Sequence, residues 1–418
     1  MKYYAATLGC KVNQFETQAV EAILQSHGHE QGTPADVVII NTCAVTAESG
    51  RKSRQLIRRL KDENPGALIA VSGCYSQLSP EDAENIGVDI IWGSGDRKGF
   101  VAAIEAGAAA RFVDDPFKRF DYELLPAGAV DGRTRAMLKI QDGCVNFCSY
   151  CIIPYTRGRL RSLPVEEAAK ETERIAAEGF KEIVLTGIEV ASYGVDLPGK
   201  PGLAEVIAAC AEKAGEMRIR LGSLEPTVVT REFCEKLSSC GKLCRHFHLS
   251  LQSGCDRTLK AMNRKYDTER FYEACRLLRE FFPGCGITCD LITGFPGETE
   301  EDFAQTLKFI EKCAFSDMHI FPYSRRPGTP ADKMPDQCTN AVKAERAKRA
   351  EAVRCAMHRE FLGSHIGQTL CVLTESGMQG HTDNYMLVKV KGDAEEKNSM
   401  INVKIEGLEG EALYGTCV

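Results

Sequence analysis

Three thiols stand in one register between Lys139 and Pro154, in the run Cys144-Val-Asn-Phe-Cys148-Ser-Tyr-Cys151. The apolar segment Met137 to Ile140 directly before them reads as a strand, so the C-x3-C-x2-C spacing belongs to a loop leaving a strand end. Such a loop can offer three thiolates to three irons of a 4Fe–4S cluster. The fourth iron then has no protein ligand and is open to a substrate or cofactor. The competing readings are a zinc site and a buried cysteine cluster. Structural zinc wants four ligands, usually with a second C-x2-C or an H-x3-H partner. No His lies within ninety residues of Cys151, and C-x2-C occurs nowhere else in the chain. The open cluster is the better reading.

A second set of thiols lies upstream. Residues 1 to about 120 alternate short apolar strands (Val37–Ile40, Leu68–Ser72, Asp89–Trp92) with helix-compatible segments (Glu16–His27, Ala47–Glu63, Pro80–Ile86). That alternation predicts a Rossmann-like parallel sheet with helices on both faces. Cys10, Cys43 and Cys74 each follow a strand, 33 and 31 residues apart, about one βα unit each time. Consecutive parallel strands end on the same sheet edge, so the three thiols are expected to converge there. Three buried loop cysteines are the alternative. Beside the downstream motif, a second cluster site is the better reading.

The remaining chain adds two more units. Residues 112–134 read as a linker or crossover. From there to about 330 six candidate strands (Met137–Gln141, Glu182–Thr186, Met217–Leu221, His246–Leu251, Gly286–Ile292, Met318–Tyr323) predict an open, partial (β/α)6 barrel. Chemistry in such barrels gathers at the C-terminal strand ends. A charged helix over 341–361 leads into short strands from 365 to 418, which predict a small closed β-barrel. Such barrels often bind RNA, and Tyr385 in Thr382-Asp-Asn-Tyr385 is a candidate contact. On the helix that opens near Ala47, Arg51, Arg54, Arg58 and Lys61 share one flank, either a solvated face or a phosphate-contacting one. The net charge of −6 excludes a protein that coats nucleic acid generally, though not local basic patches. No apolar run reaches eighteen residues, and the N-terminus has no signal-peptide pattern. A cytoplasmic protein with reduced thiols is expected, the thirteen cysteines outside the two triads serving as small buried hydrophobes.

The loop of Cys144, Cys148 and Cys151 after a strand, with Tyr150 before the last cysteine, resembles the radical S-adenosylmethionine enzymes. That resemblance implies an open iron that chelates S-adenosylmethionine, and a cluster electron that cleaves it to a 5′-deoxyadenosyl radical. Along nearly its full length the chain resembles the methylthiotransferases. This implies domains at 1–120 (auxiliary cluster), 134–362 (radical core) and 365–418 (a TRAM-like barrel), with two 4Fe–4S clusters. Cys10, Cys43 and Cys74 would hold the auxiliary cluster and Cys144, Cys148 and Cys151 the radical-generating one. Tyr150, Gly187, Glu189, Gln252 and Asp290 would lie around S-adenosylmethionine. The flanks Thr7-Leu-Gly-Cys-Lys-Val-Asn-Gln14, Asn41-Thr-Cys-Ala-Val-Thr46 and Lys52-Ser-Arg-Gln55 look like those of the bacterial threonylcarbamoyladenosine tRNA methylthiotransferases. Ala44 departs from that pattern, which has a hydroxyl residue there. The implied reaction is methylthiolation at C2 of N6-threonylcarbamoyladenosine 37 of tRNA. The same chemistry on isopentenyladenosine or on a ribosomal protein is the alternative. The implied partners are tRNA, a reductant such as flavodoxin or ferredoxin, and a sulfur donor, with no membrane.

Overall fold

The computed structural model describes residues 1–127, 134–375, 378–392 and 397–418. Part of the predicted linker, 128–133, lies outside the described residues. Six strands, β1 (Lys2–Thr7), β2 (Glu30–Gln31), β3 (Val37–Thr42), β4 (Leu68–Gly73), β5 (Ile90–Trp92) and β6 (Ala110–Phe112), form a parallel sheet in the order β2-β1-β3-β4-β5-β6. Five helices accompany it: α1 (Lys11–Ser26), α2 (Ala47–Glu63), α3 (Cys74–Leu78), α4 (Pro80–Ile86) and α5 (Arg97–Ala106). Strand alternation sorts β3 between two cores. Val37 and Ile39 pack with Val20 and Leu24 of α1 and Phe100 of α5. Val38 and Ile40 pack with Ile57 and Leu60 of α2 and Ala83 of α4. The strand order reverses between β1 and β3, the switch point where open α/β sheets bind ligands.

The central unit is a barrel in two halves. Its elements are β7 (Arg135–Asp142), α6 (Ile153–Arg157), β8 (Arg161–Ser162), β9 (Glu182–Gly187), β10 (Arg218–Leu221), β11 (Ser223–Leu224), β12 (His246–Gln252), β13 (Gly286–Thr293) and β14 (Asp317–Pro322). They make two four-stranded sheets, β10-β9-β7-β8 and β11-β12-β13-β14, and Ile219 of β10 also bridges to Leu243, three residues before β12. The six long strands match those expected. The two-residue strands β8 and β11 are too short to leave a pattern. Along β12, Phe247, Leu249 and Leu251 face the core under the helices, while His246 and His248 line the lumen. A strand that alternates this way gives the barrel a greasy rim and a polar interior.

After the helix Asn340–Gly363, the strands β15 (Thr369–Thr374), β16 (Gln379–Thr382), β17 (Leu387–Lys391), β18 (Met400–Glu409) and β19 (Ala412–Cys417) close a barrel in the order β15-β16-β17-β19-β18. Strand β16 carries no apolar alternation in its sequence, Gln379-Gly-His-Thr382. It is polar, and Gly380 lets it approach its neighbour: a Cβ there would stand 2.0 Å from the Leu373 carbonyl oxygen. The small barrel is bolted to the central one by arginines. Glu182 receives Arg135 Nε at 2.6 Å, Arg218 Nε at 2.5 Å and Arg220 Nε at 2.7 Å. The same arginines reach over the boundary. Arg218 donates to the His381 carbonyl at 3.0 Å, Arg220 to that of Asp383 at 3.0 Å, and Arg135 to Glu375 at 2.5 Å. No described helix is long and apolar enough to cross a membrane.

Candidate iron–sulfur and substrate site

Each upstream cysteine stands just past a strand: Cys10 after β1, Cys43 after β3 and Cys74 after β4. Two glycines make the turns possible. Gly9 has φ of +114°, and a side chain there would press on the Cys43 Cβ at 3.0 Å. Gly73 has φ of +108°, and a Cβ would stand 2.5 Å from the Thr42 carbonyl oxygen. Both positions need a residue without a side chain. Asn13 of α1 ties the loops together, donating to the carbonyls of Leu8 at 2.9 Å and Thr42 at 3.0 Å. Burial raises the thiol pKa of Cys10 and of Cys43; Cys74 adds to the rise and Arg157 opposes it. Ala44 is buried against Cys74 and Tyr75, with its methyl in a packed pocket.

Behind these thiols lies a set of charges that the sequence did not announce. Glu16, Arg97, Lys139, Asp142, Arg157 and Arg161 are all buried. Glu16 meets Arg97 Nη2 at 2.7 Å and Lys139 Nζ at 3.2 Å, and also pairs with Arg157. Asp142 receives Lys139 at 3.1 Å, Arg161 at 3.5 Å and Arg157 at 3.6 Å. These cations hold both carboxyls well below the usual carboxylate range, against the opposing effect of burial. Four cations against two carboxylates leave positive charge in the interior, and Arg157 Nε brings it to Cys74 Sγ at 3.4 Å. Buried positive charge next to thiols suits an anionic, thiolate-bound cluster. The available signal was Glu16 itself, a charge on the stripe of Val12, Phe15 and Ala19 that α1 buries.

The downstream thiols ride the loop between β7 and α6. Burial pushes both the Cys144 and the Cys151 thiols up to about 12. Cys148 and Cys151 add to the rise at Cys144, and Cys148 and Cys74 to that at Cys151, which makes the two triads electrostatic neighbours. Arg264 Nη1 donates to Cys148 Sγ at 3.1 Å and lies 3.5 Å from the Tyr150 hydroxyl. Among the described residues no three His, Cys, Asp or Glu side chains converge as ligands of one metal ion do. Cysteines of a cubane bind different irons and need no common point. Thiols as the donors, guanidinium groups beside them and an open strand-end edge fit 4Fe–4S clusters at both places.

A cavity of about 850 Å³ joins the three units. Gly9, Cys10 and Lys11 supply one wall, Thr186, Gly187, Arg220, His246 and His248 the barrel side, and Asn384, Tyr385 and Met386 the small-barrel side. Gly187 is thus in the wall. Glu189 sits just beyond, its backbone N–H donating to Gln141 Oε1 at 2.8 Å. Burial raises the Glu189 carboxyl pKa. Asp290 pairs with His248 Nε2 at 3.2 Å. Gln252 ends β12 in the left-handed region, φ +66°, at an irregularity in the pairing with β13. The RNA candidates are dispersed. Arg51 is paired with Glu48 at 2.5 Å, Arg54 donates to the Tyr75 hydroxyl at 3.2 Å, and Arg58 is exposed. Tyr385 belongs to the cavity wall, stacked on His246 at 4.8 Å and beneath Arg220 at 4.7 Å. Of the thirteen other cysteines, Cys210, Cys234, Cys275 and Cys313 are buried, but Cys355, Cys371 and Cys417 are exposed.

Comparison with known proteins places this geometry. Residues 138–310 match the Radical SAM superfamily, and residues 2–93 match Uncharacterized protein family UPF0004. The chain is 41% identical over 417 residues to the threonylcarbamoyladenosine tRNA methylthiotransferase MtaB of Bacillus subtilis, covering 96% of this chain and 92% of that one. It is 33% identical over 436 residues to the tRNA-2-methylthio-N(6)-dimethylallyladenosine synthase of Acetivibrio thermocellus, covering 100% of this chain and 91% of that one. A radical S-adenosylmethionine methyltransferase from Kitasatospora setae shares the fold, with a TM-score of 0.59 at 16% identity over 79% of this chain and 74% of that one. Fold and thiols thus define a radical S-adenosylmethionine enzyme. Within that class the chain belongs to the methylthiotransferase family, whose cofactors are S-adenosylmethionine and 4Fe–4S clusters.

Proposed function

We propose that this enzyme adds a methylthio group to C2 of N6-threonylcarbamoyladenosine at position 37 of tRNA, with residues 1–120, 134–362 and 365–418 as its domains. The observation that carries the reading is the shared cavity, where Cys10 of one thiol triad faces Thr186 and Gly187 at the barrel's strand ends. The 41% identity with the Bacillus subtilis threonylcarbamoyladenosine enzyme supports that nucleoside over the dimethylallyl one. Cys144, Cys148 and Cys151 would hold the radical-generating cluster, and Cys10, Cys43 and Cys74 the auxiliary one. Together with S-adenosylmethionine these groups supply a radical able to break an unactivated C–H bond, and the sulfur that replaces the hydrogen.

The chain's own residues enclose and orient. Arg264 fixes Cys148 and Tyr150 together; Glu189, Gln252 and Asp290 border the place for S-adenosylmethionine. Tyr385 and Met386 close the far wall against water, which protects a reactive intermediate from side reactions. An anticodon loop suits such a chamber because its bases can be splayed out without melting a helix. A low-potential reductant such as flavodoxin or ferredoxin, a sulfur donor and a cytoplasmic setting complete the proposal. The test is nucleoside mass spectrometry of tRNA from cells without the protein. Loss of 2-methylthio-N6-threonylcarbamoyladenosine with accumulation of its precursor is the expected result. Loss of the dimethylallyl derivative, or unchanged tRNA, overturns it.

A further inference from the structure

One ammonium in the cavity wall has no counter-charge of its own. Lys11 opens α1 directly after Cys10 and lines the cavity. It makes no hydrogen bond or ion pair with any described residue. Its side chain is exposed and borders the cavity. The charges of Arg220 and Arg135 repel its ammonium, and that of Glu182 attracts it. Glu182 is already shared among Arg135, Arg218 and Arg220, and Glu375 pairs with Arg135. Three guanidinium groups against two carboxylates leave one positive charge, and Lys11 adds another. The one acidic side chain in the cavity lining, Asp317, is paired with Arg354 at 2.9 Å. This side of the chamber therefore fits an organic anion.

We propose that Lys11, with Arg220 behind it, binds the carboxylate of the threonyl group on the target base. The inference rests on the nucleoside proposed above and names the group by which it is selected. The N6 substituent of that nucleoside folds over N1, toward the purine edge that bears C2. A base in this cavity that turns C2 to Cys10 therefore brings its carboxylate toward Lys11, the next residue in the lining. An adenine with an aliphatic N6 substituent offers Lys11 nothing in exchange for its lost hydration. A site built for a polar group rejects analogues lacking that group in this way.

The test is binding, not turnover, with full-length, cluster-loaded protein and no S-adenosylmethionine. Three anticodon stem–loop RNAs differ only at base 37, which carries the threonylcarbamoyl group, its carboxylate methyl ester or an isopentenyl group. The wild type is expected to bind the free carboxylate about tenfold more tightly than the ester, as a charge-assisted hydrogen bond warrants. Lys11→Met is expected to bind the two alike, at the level of the ester. Lys11→Arg keeps the charge and is expected to keep most of the preference, so that misfolding cannot pass for the result. A preference undiminished in Lys11→Met overturns the assignment. Equal weakening on all three RNAs also overturns it, because Lys11 then meets a phosphate. A wild type indifferent to the ester overturns the inference and leaves the nucleoside identification standing. Loss of the dimethylallyl product in cells without the protein would instead remove the proposed function itself.

Discussion

Arg157 Nε lies 3.4 Å from Cys74 Sγ, so the helix that follows one thiol triad touches the last cysteine of the other. The same guanidinium donates to Asn13 Oδ1 at 2.8 Å and pairs with Glu16, both on α1. One side chain thus couples the parallel sheet, the barrel and the upstream thiols.

Arg157→Met is expected to destabilise the fold by about 1–3 kcal/mol, because Glu16 and Asn13 lose buried hydrogen bonds while Arg97, Lys139 and Arg161 still neutralise Glu16 and Asp142. It should also make the auxiliary cluster harder to reduce, since an N–H···S contact and a positive charge disappear together. A redox titration followed by electron paramagnetic resonance, in a background where Cys144, Cys148 and Cys151 are Ala, reads that potential. Arg157→Lys should shift it less. Equal potentials in all three proteins would reduce Arg157 to a packing residue.

The two triads should separate by mutation. Anaerobically reconstituted wild type is expected to bind about eight irons per chain. Replacing Cys144, Cys148 and Cys151 by Ala should leave about four and end cleavage of S-adenosylmethionine. Replacing Cys10, Cys43 and Cys74 should also leave about four while preserving cleavage and ending thiolation. Full iron content in that second variant would contradict an auxiliary cluster.

Glu182 governs how the small barrel docks. Its carboxyl is held far below the usual range by Arg220 and Arg218 despite burial. A depressed folded-state pKa contributes stability that is complete above the unfolded value of about 4.3 and is lost as pH falls below it. The wild-type melting temperature should therefore drop on acidification below about pH 4.5, and less steeply in Glu182→Gln. At neutral pH the variant is expected to lose about 3–5 kcal/mol, because three arginines keep no full counter-charge. Hydrogen exchange should quicken first in residues 380–386 at the docked edge.

On α2 the flank of arginines is not uniform. Arg51 and Arg54 are engaged by Glu48 and Tyr75, while Arg58 is exposed with no ion pair among the described residues. If this flank meets phosphate, Arg58→Ala should flatten the salt dependence of tRNA binding by about one unit of slope. Arg51→Ala should do less. Unchanged slopes in both would return the flank to solvent.

The repeating βα pattern was legible because buried parallel strands are nearly uninterrupted apolar runs, as Val37–Ile40 and Leu68–Ser72 are. The cysteines were legible because metal chemistry restricts residue type and spacing. The buried charges were not. Lys139, Asp142 and Arg157 look like ordinary surface residues until distant segments bring them onto Glu16, and nothing local encodes that meeting. Tyr385 was legible only in part. It is exposed, as a surface aromatic of a small barrel should be, but its stacking on His246 beneath Arg220 in the chamber wall is fixed by docking and not by its own strand.

The chamber draws its walls from Cys10, Gly187 and Tyr385, residues that leave the ribosome in that order. The first 360 residues carry every thiol of both triads, whereas Asn384, Tyr385 and Met386, one side of the chamber, come after them. The stretch that would gather iron and the stretch that completes the vessel around a radical are thus separable pieces of one chain.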